Sequence, residues 1–146
     1  MIIVIGSDHG GYEVKENLKK YLLEKGYDII DVGTNSLDSC NYAEFAIKAA
    51  KKVSGKEANC GILICTSGEG VCIAANKVKG IRCGIGYNDD VSRLLKEHND
   101  ANMIAFGAHY QTFFEITKRV EIFLNAKFLG GRHLNRVNYI ENFENK

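Results

Sequence analysis

The sequence predicts an α/β fold, a single domain built as a three-layer sandwich around a five-stranded parallel sheet, and three observations carry that expectation. Five short segments rich in Ile, Val and Cys recur along the 146 residues, at 2–6, 27–33, 60–65, 81–86 and 102–107. The stretches between them carry helical apolar spacing. The segments are apolar throughout instead of alternating, as expected of strands covered on both faces. A chain of this length can bury about 70% of its unfolded surface in one core, so no second domain is required.

Taken in order, "IIVIG" (2–6) is the first strand. In the helix after it, Val14, Leu18, Tyr21 and Leu22 form the apolar face, the charges of "KENLKKYLLEK" are expected opposite, and Gly26 is the stop. "YDIIDVG" (27–33) is the second strand, and the Ala-rich "YAEFAIKAAKKV" is a helix ending near Ser54 and Gly55. "CGILIC" (60–65) leads to a helix expected to begin near Val71. "IRCGIG" (81–86) precedes a fourth helix capped by Asn88 and Asp89. "NMIAFG" (102–107) precedes a fifth, "TFFEITKRVEIFLNAKF", with Phe114, Thr117, Val120 and Leu124 expected on one face. A last short helix covers "LNRVNYIENF", and the tail "ENFENK" is expected to fray. With no proline in the chain, turns fall to Gly, Asn, Asp and Ser.

Composition narrows the function. Nineteen basic and eighteen acidic residues leave a net charge of +1, with no electrostatic footprint for nucleic acid or an anionic membrane. No apolar run approaches the ~18 residues of a membrane span, and the N-terminus lacks the flank and length of a signal peptide. The five cysteines are odd in number and hold no CxxC pair, so they read as reduced thiols. A cytoplasmic globular protein is the expectation.

In α/β sheets ligands collect where strands end and the following loops present backbone donors. Three polar groups fall near strand or helix ends: Asp8 and His9, Cys65 to Gly70, and His98-Asn99-Asp100. The loop Thr66-Ser67-Gly68-Glu69-Gly70 is either a strand-to-helix turn or an anion hole, because glycines let a ligand approach the backbone. It is no nucleotide loop: GxxxxGK[ST] is absent, and Ile73 stands where the dinucleotide fingerprint needs its third small residue. Cys65 is either a small core hydrophobe or, at a helix start, a base or nucleophile. Cys40, Cys60, Cys72 and Cys83 read as packing residues.

Asp8 and His9 serve equally as a polar strand cap, and His98-Asn99-Asp100 as a helix stop. By counting, His98 lies at the wrong end of the fifth strand for the Cys65 loop, pointing to service from a helix end or from a neighbouring subunit. In "GGRHLNRV", Arg132 and Arg136 are four apart and share a helix face suited to clamping a phosphate, although a solvated helix start is the plainer reading. His133 is expected to point away from that clamp. No His, Asp or Glu cluster has metal-ligand spacing.

Four ordered segments, "GSDHGGYEVKENLKKYLLEKGYDIIDVGT", "ICTSGEGVCIAANKVKGIRCGIGYN", "EHNDANMIAFG" and "GGRHLNRV", resemble ribose-5-phosphate isomerases of type B, in the family that also holds the galactose-6-phosphate isomerase subunits. The resemblance runs to about residue 140. It implies a Rossmann-like domain, a homodimer or dimer of dimers with the site shared between subunits, and interconversion of ribose 5-phosphate and ribulose 5-phosphate without metal or cofactor. It further implies that Cys65 is the base moving a proton between C2 and C1, that Thr66 to Gly70 hold the enediolate, and that His98 opens the furanose ring. Asp8, His9, Asn99, Arg132 and Arg136 become substrate or phosphate contacts.

Three positions depart from the family: Thr66 stands for a glycine, Glu69 for an apolar residue, and His109 for a phosphate-binding arginine. The glutamate base of one branch falls at Val71 here, so that role does not pass to Glu69. Six-carbon sugar phosphates such as allose 6-phosphate or galactose 6-phosphate are the alternative substrates, and a flavodoxin-like nucleotide-binding module is the non-enzyme alternative.

Overall fold

The computed structural model describes residues 1–146. Its strands are β1 (Ile2–Ser7), β2 (Asp28–Asp31), β3 (Cys60–Cys65), β4 (Cys83–Ile85) and β5 (Met103–Gly107). Its helices are α1 (Tyr12–Glu24), α2 (Tyr42–Ser54), α3 (Glu69–Ala75), α4 (Asp89–Glu97), α5 (Phe113–Asn125) and α6 (Arg132–Glu144). All five strands run parallel in one sheet, in the order β2-β1-β3-β5-β4. This is the α/β fold expected, and β5 enters between β3 and β4 so that Cys65 pairs with Gly107.

Two cores explain why the strands are apolar throughout. Along β3, Leu63 and Cys65 pack with α2 and α3, whereas Ile62 and Ile64 pack with α1 and α5. Alternation is present, but both faces are dry. Helix α2 lies close to β1 because it presents the fully buried Ala46, Ala49 and Ala50, and Gly6 beneath has no side chain to hold it off. No helix is long and apolar enough to cross a membrane.

Several local expectations need correction. Helix α3 begins at Glu69, two residues earlier than Val71. The buried face of α5 is Ile116, Thr117, Val120 and Phe123, while Phe114 is 74% exposed; the capping box between Thr112 and Glu115 fixes the start and so rotates the face away from Phe114. Helix α6 extends through Glu144, so most of the tail is helical and not frayed.

The charges of α1 are not all on the outer face. Lys15 is wholly buried, its Nζ donating to Asp31 Oδ2 at 2.7 Å, with Lys19 Nζ on the same oxygen at 2.9 Å. The Gly33 N–H donates to Asp31 Oδ1 at 2.9 Å. A lysine can occupy an apolar face when its ammonium meets a carboxylate, and hydrophobic periodicity cannot register that. Burial pushes the Asp31 carboxyl up, but the hydrogen bonds from Lys15, Lys19 and Gly33 outweigh it and hold the group below the usual carboxylate range.

Asp31→Asn leaves the buried Lys15 ammonium with only Glu16 Oε2, 3.7 Å away, as counter-charge, a loss of about 3 kcal/mol, the lower end for a broken buried pair. For a chain of this size that lowers Tm by on the order of 10 °C. Since the folded pKa lies below the unfolded one, the carboxylate's contribution is complete above an unfolded pKa of about 3.9 and is lost as pH falls through the folded value. Thermal melts of both chains from neutral pH downward are therefore expected to converge below about pH 4.

Candidate active site

The ends of β1, β3 and β5 meet at the carboxyl edge of the sheet. After β1, Asp8 turns the chain into a short 3₁₀ helix (His9–Gly11), its Oδ1 accepting from the N–H groups of Gly10 (2.9 Å) and Gly11 (3.2 Å). Asp8 is thus a strand cap, with Oδ2 left 4.0 Å from His9 Nδ1. The Cys40 N–H donates to His9 Nδ1 at 3.2 Å, so the neutral ring carries its proton on Nε2. Cys40 is half-buried with its Sγ 3.8 Å from the same nitrogen, so it contacts the candidate residue His9 instead of merely packing.

After β3, the loop closes back on Cys65. The Gly68 N–H donates to Cys65 Sγ at 3.1 Å, and Gly68 is left-handed at φ 82°, where a Cβ would meet the Phe106 carbonyl carbon at 2.8 Å, so no side chain fits. The N–H groups of Thr66, Ser67, Gly70 and Val71 have no acceptor within the chain. Four unpaired donors and one hydrogen-bonded sulfur therefore gather around a single turn, the arrangement of an anion hole. Thr66 is accommodated without a left-handed backbone, and its Oγ1 fills the space over Gly10 that a Cβ there would occupy.

Cys65 is 5% exposed and is the one cysteine whose sulfur accepts a backbone N–H. Burial pushes the Cys60 thiol up to about 11, and Cys72 Sγ is occupied with the Cys83 carbonyl at 3.3 Å. Two clefts flank the loop. One, of about 400 Å³, is lined by His9, Gly10, Thr66 and His109, and the other, of about 510 Å³, by Ser67, Glu69, Tyr87 and Arg119. Glu69 is exposed and lines the second. His109 is exposed, its N–H bound to the Thr66 carbonyl at 3.1 Å.

The remaining candidates lie elsewhere. His98 closes α4 and precedes β5, so it sits at the amino edge of the sheet, a strand length of roughly 16 Å from the Cys65 loop. Arg132 and Arg136 begin α6 at that same edge, exposed and free of carboxylate partners, with Arg136 Nη1 donating to the Arg132 carbonyl at 2.8 Å. Asn99 is exposed beside them. His133 does not point away: its ring stacks on His98, with centroids 4.1 Å apart and an interplanar angle of 14°. Partial burial, then the charges of His98, Arg132 and Arg136, hold His133 below the usual histidine range.

The candidate residues thus fall in two groups at opposite edges of the sheet, one around the Cys65 thiol and its turn of unpaired N–H groups, the other around the Arg132–Arg136 pair and the stacked imidazoles. Sequence reasoning did not place His133 against His98 or Cys40 against His9. One signal for His133 was available: the chain has four histidines, and the other three already fell in site candidates.

Known proteins share this architecture. Residues 3–140 match the Ribose/Galactose Isomerase family. Ribose-5-phosphate isomerase B of Escherichia coli is 39% identical over 145 residues, covering 99% of this chain and 97% of that protein. The structure of Clostridium thermocellum ribose-5-phosphate isomerase B superposes with a TM-score of 0.98 at 43% identity, covering 99% and 98% of the two chains. That of the Mycoplasma genitalium enzyme with bound ribulose-5-phosphate superposes with a TM-score of 0.95 at 37% identity, covering 99% and 97%. Sequence and fold agree over almost the full length of each partner, and the chain belongs to the ribose/galactose isomerase family.

Proposed function

We propose that this protein interconverts ribose 5-phosphate and ribulose 5-phosphate, without a metal, in a site that two copies complete for each other. The observation that carries the chemistry is the Gly68 N–H bound to Cys65 Sγ at 3.1 Å within a turn of unpaired N–H groups. In the open-chain aldose, the Cys65 thiolate takes the proton from C2. The C–H electron pair forms the C1–C2 double bond, and the C1 carbonyl pair moves onto O1. The thiol then returns the proton to C1 on the pair of the C1–C2 double bond, while the C2 hydroxyl passes its proton to O1, its O–H pair forming the C2 ketone and O1 becoming the C1 hydroxyl.

Charge accumulates on oxygen midway, and each well-placed backbone donor stabilises it by about 3 kcal/mol. The protein supplies those donors in Thr66 to Gly70. His98 of the partner subunit protonates the ring oxygen to open the furanose, and Asn99 of the partner subunit lies beside it. Asp8 and His9 contact the sugar. The partner's Arg132 and Arg136 hold the phosphate, with His109 where relatives of this type carry an arginine. Support for the shared site is the separation of the two halves, since neither edge alone holds both a base and a phosphate clamp.

The test is ribulose 5-phosphate formation from ribose 5-phosphate in the presence of EDTA, with galactose 6-phosphate and allose 6-phosphate in parallel. Turnover of the pentose above both hexoses supports the proposal. Turnover only of a hexose phosphate moves the substrate, loss with EDTA overturns the metal-free mechanism, and no turnover with a nucleotide-induced rise in Tm favours a binding module.

A further inference from the structure

Arg82, the residue before β4, carries more contacts than any catalytic candidate yet touches neither half-site's reacting groups. Its Nε donates to the carbonyls of Asn99 (2.9 Å) and Asp100 (3.2 Å), and its Nη2 to the Asp100 carbonyl (2.8 Å) and Asp100 Oδ2 (3.4 Å). Its Nη1 donates to Glu141 Oε1 at 3.0 Å. Its own backbone is pinned to Asn102, whose side chain accepts from the Arg82 N–H at 3.0 Å and whose N–H returns a 3.0 Å bond. One planar fork therefore joins three segments.

Two of those segments are the amino-edge half-site. Asn99 and Asp100 form the turn directly behind His98, and Asp100 lies at φ 47°, in the left-handed region that is uncommon for non-glycine residues and taken most readily by Asn and Asp. Glu141 lies on α6, the helix that begins with Arg132, His133 and Arg136. Apart from this fork, the turn and α6 are joined by the Leu129 N–H to Glu97 carbonyl bond at 3.0 Å and by the imidazole stack. Helix α6 buries only Val137, so packing alone does not fix where its guanidinium groups lie.

We propose that Arg82 is the positioning residue of the amino-edge half-site, setting the distance between His98 and the Arg132–Arg136 clamp. This rests on the reading of that edge as the ring-opening and phosphate-binding half of the isomerase. Lysine cannot replace the fork, because one ammonium cannot serve the turn and α6 in the same plane.

Arg82→Ala and Arg82→Lys homodimers are expected to lose roughly 10- to 100-fold in kcat/KM, the range for lost orienting partners. Glu141→Gln, which weakens only the tie to α6, should raise KM for ribose 5-phosphate with kcat nearly kept. The discriminating measurement is subunit mixing. Arg82→Ala mixed with Cys65→Ala should regain activity to the level of the Cys65→Ala and His98→Asn reference pair, because one site of each hybrid then has an intact thiol and an intact partner edge. Mixed with His98→Asn it should regain nothing.

Recovery with His98→Asn, or wild-type kcat/KM in Arg82→Ala, overturns the inference. If Arg82→Ala does not fold, Arg82→Lys takes its place in the mixing. If the reference pair regains nothing although exchange is shown, the shared-site reading fails. Arg82 is then judged from the Glu141→Gln homodimer, where an unchanged KM overturns its role.

Discussion

Cys65→Ala is expected to lose at least about 10⁴-fold in kcat, the upper end of what a positioned base supplies, while substrate affinity stays within about threefold. The asymmetry follows from where the sulfur lies. Cys65 ends β3 at 5% exposure, with its Sγ turned into the loop to accept the Gly68 N–H, so it offers a substrate little contact surface, and its proposed part is proton transfer. The phosphate and sugar contacts proposed above all lie on other residues. Alanine is tolerated in the core beside Val71 and Ala105, so the variant should remain folded, as a melting curve would verify. Ligand titration by calorimetry alongside the rate assay decides the matter. Affinity falling in step with rate would make Cys65 a packing residue whose loss deforms the loop.

If the proposed shared site holds, mixing two inactive variants, Cys65→Ala and His98→Asn, is expected to restore roughly a quarter of wild-type activity. In a two-fold pair with sites shared across the axis, one site of each hybrid collects both lesions and the other none. Random reassortment makes about half the dimers hybrid, and half of their sites are intact. The structural ground is the separation of His98 from the Cys65 loop by the length of the sheet within one chain. Verified exchange without recovered activity would place both residues in a single-chain site and overturn the shared arrangement.

Much of this was legible in the sequence because the fold is written in long apolar strands and strong helix signals. "CGILIC" and "NMIAFG" had no other plausible reading, and Gly26 and Asn88 mark a helix stop and start by local chemistry. What escaped was whatever depends on a partner distant in sequence. The burial of Lys15 is decided by Asp31, the face of α5 by a capping box that fixes its phase, and the order of the strands by packing that no periodicity records. For the candidate site, residue types and loop spacing nominated Cys65, the turn from Thr66 to Gly70 and the arginine pair. They could not show that His133 stacks on His98, or that Cys40, 31 residues away, would hold the His9 ring.

The two outermost strands of the sheet are its shortest, β2 with four residues and β4 with three. An exposed strand edge is a template on which another chain can extend the ladder, and short edges deny it the length to hold. At the β2 edge the strand begins and ends on aspartate, and at the β4 edge Asn76 occupies the N–H and the carbonyl of Cys83 with its own amide. Copies of this chain are therefore steered away from joining sheet to sheet, a route that leads equally to closed pairs and to open fibres. Association is left to helices and loops, surfaces whose side chains can specify one mate and one geometry.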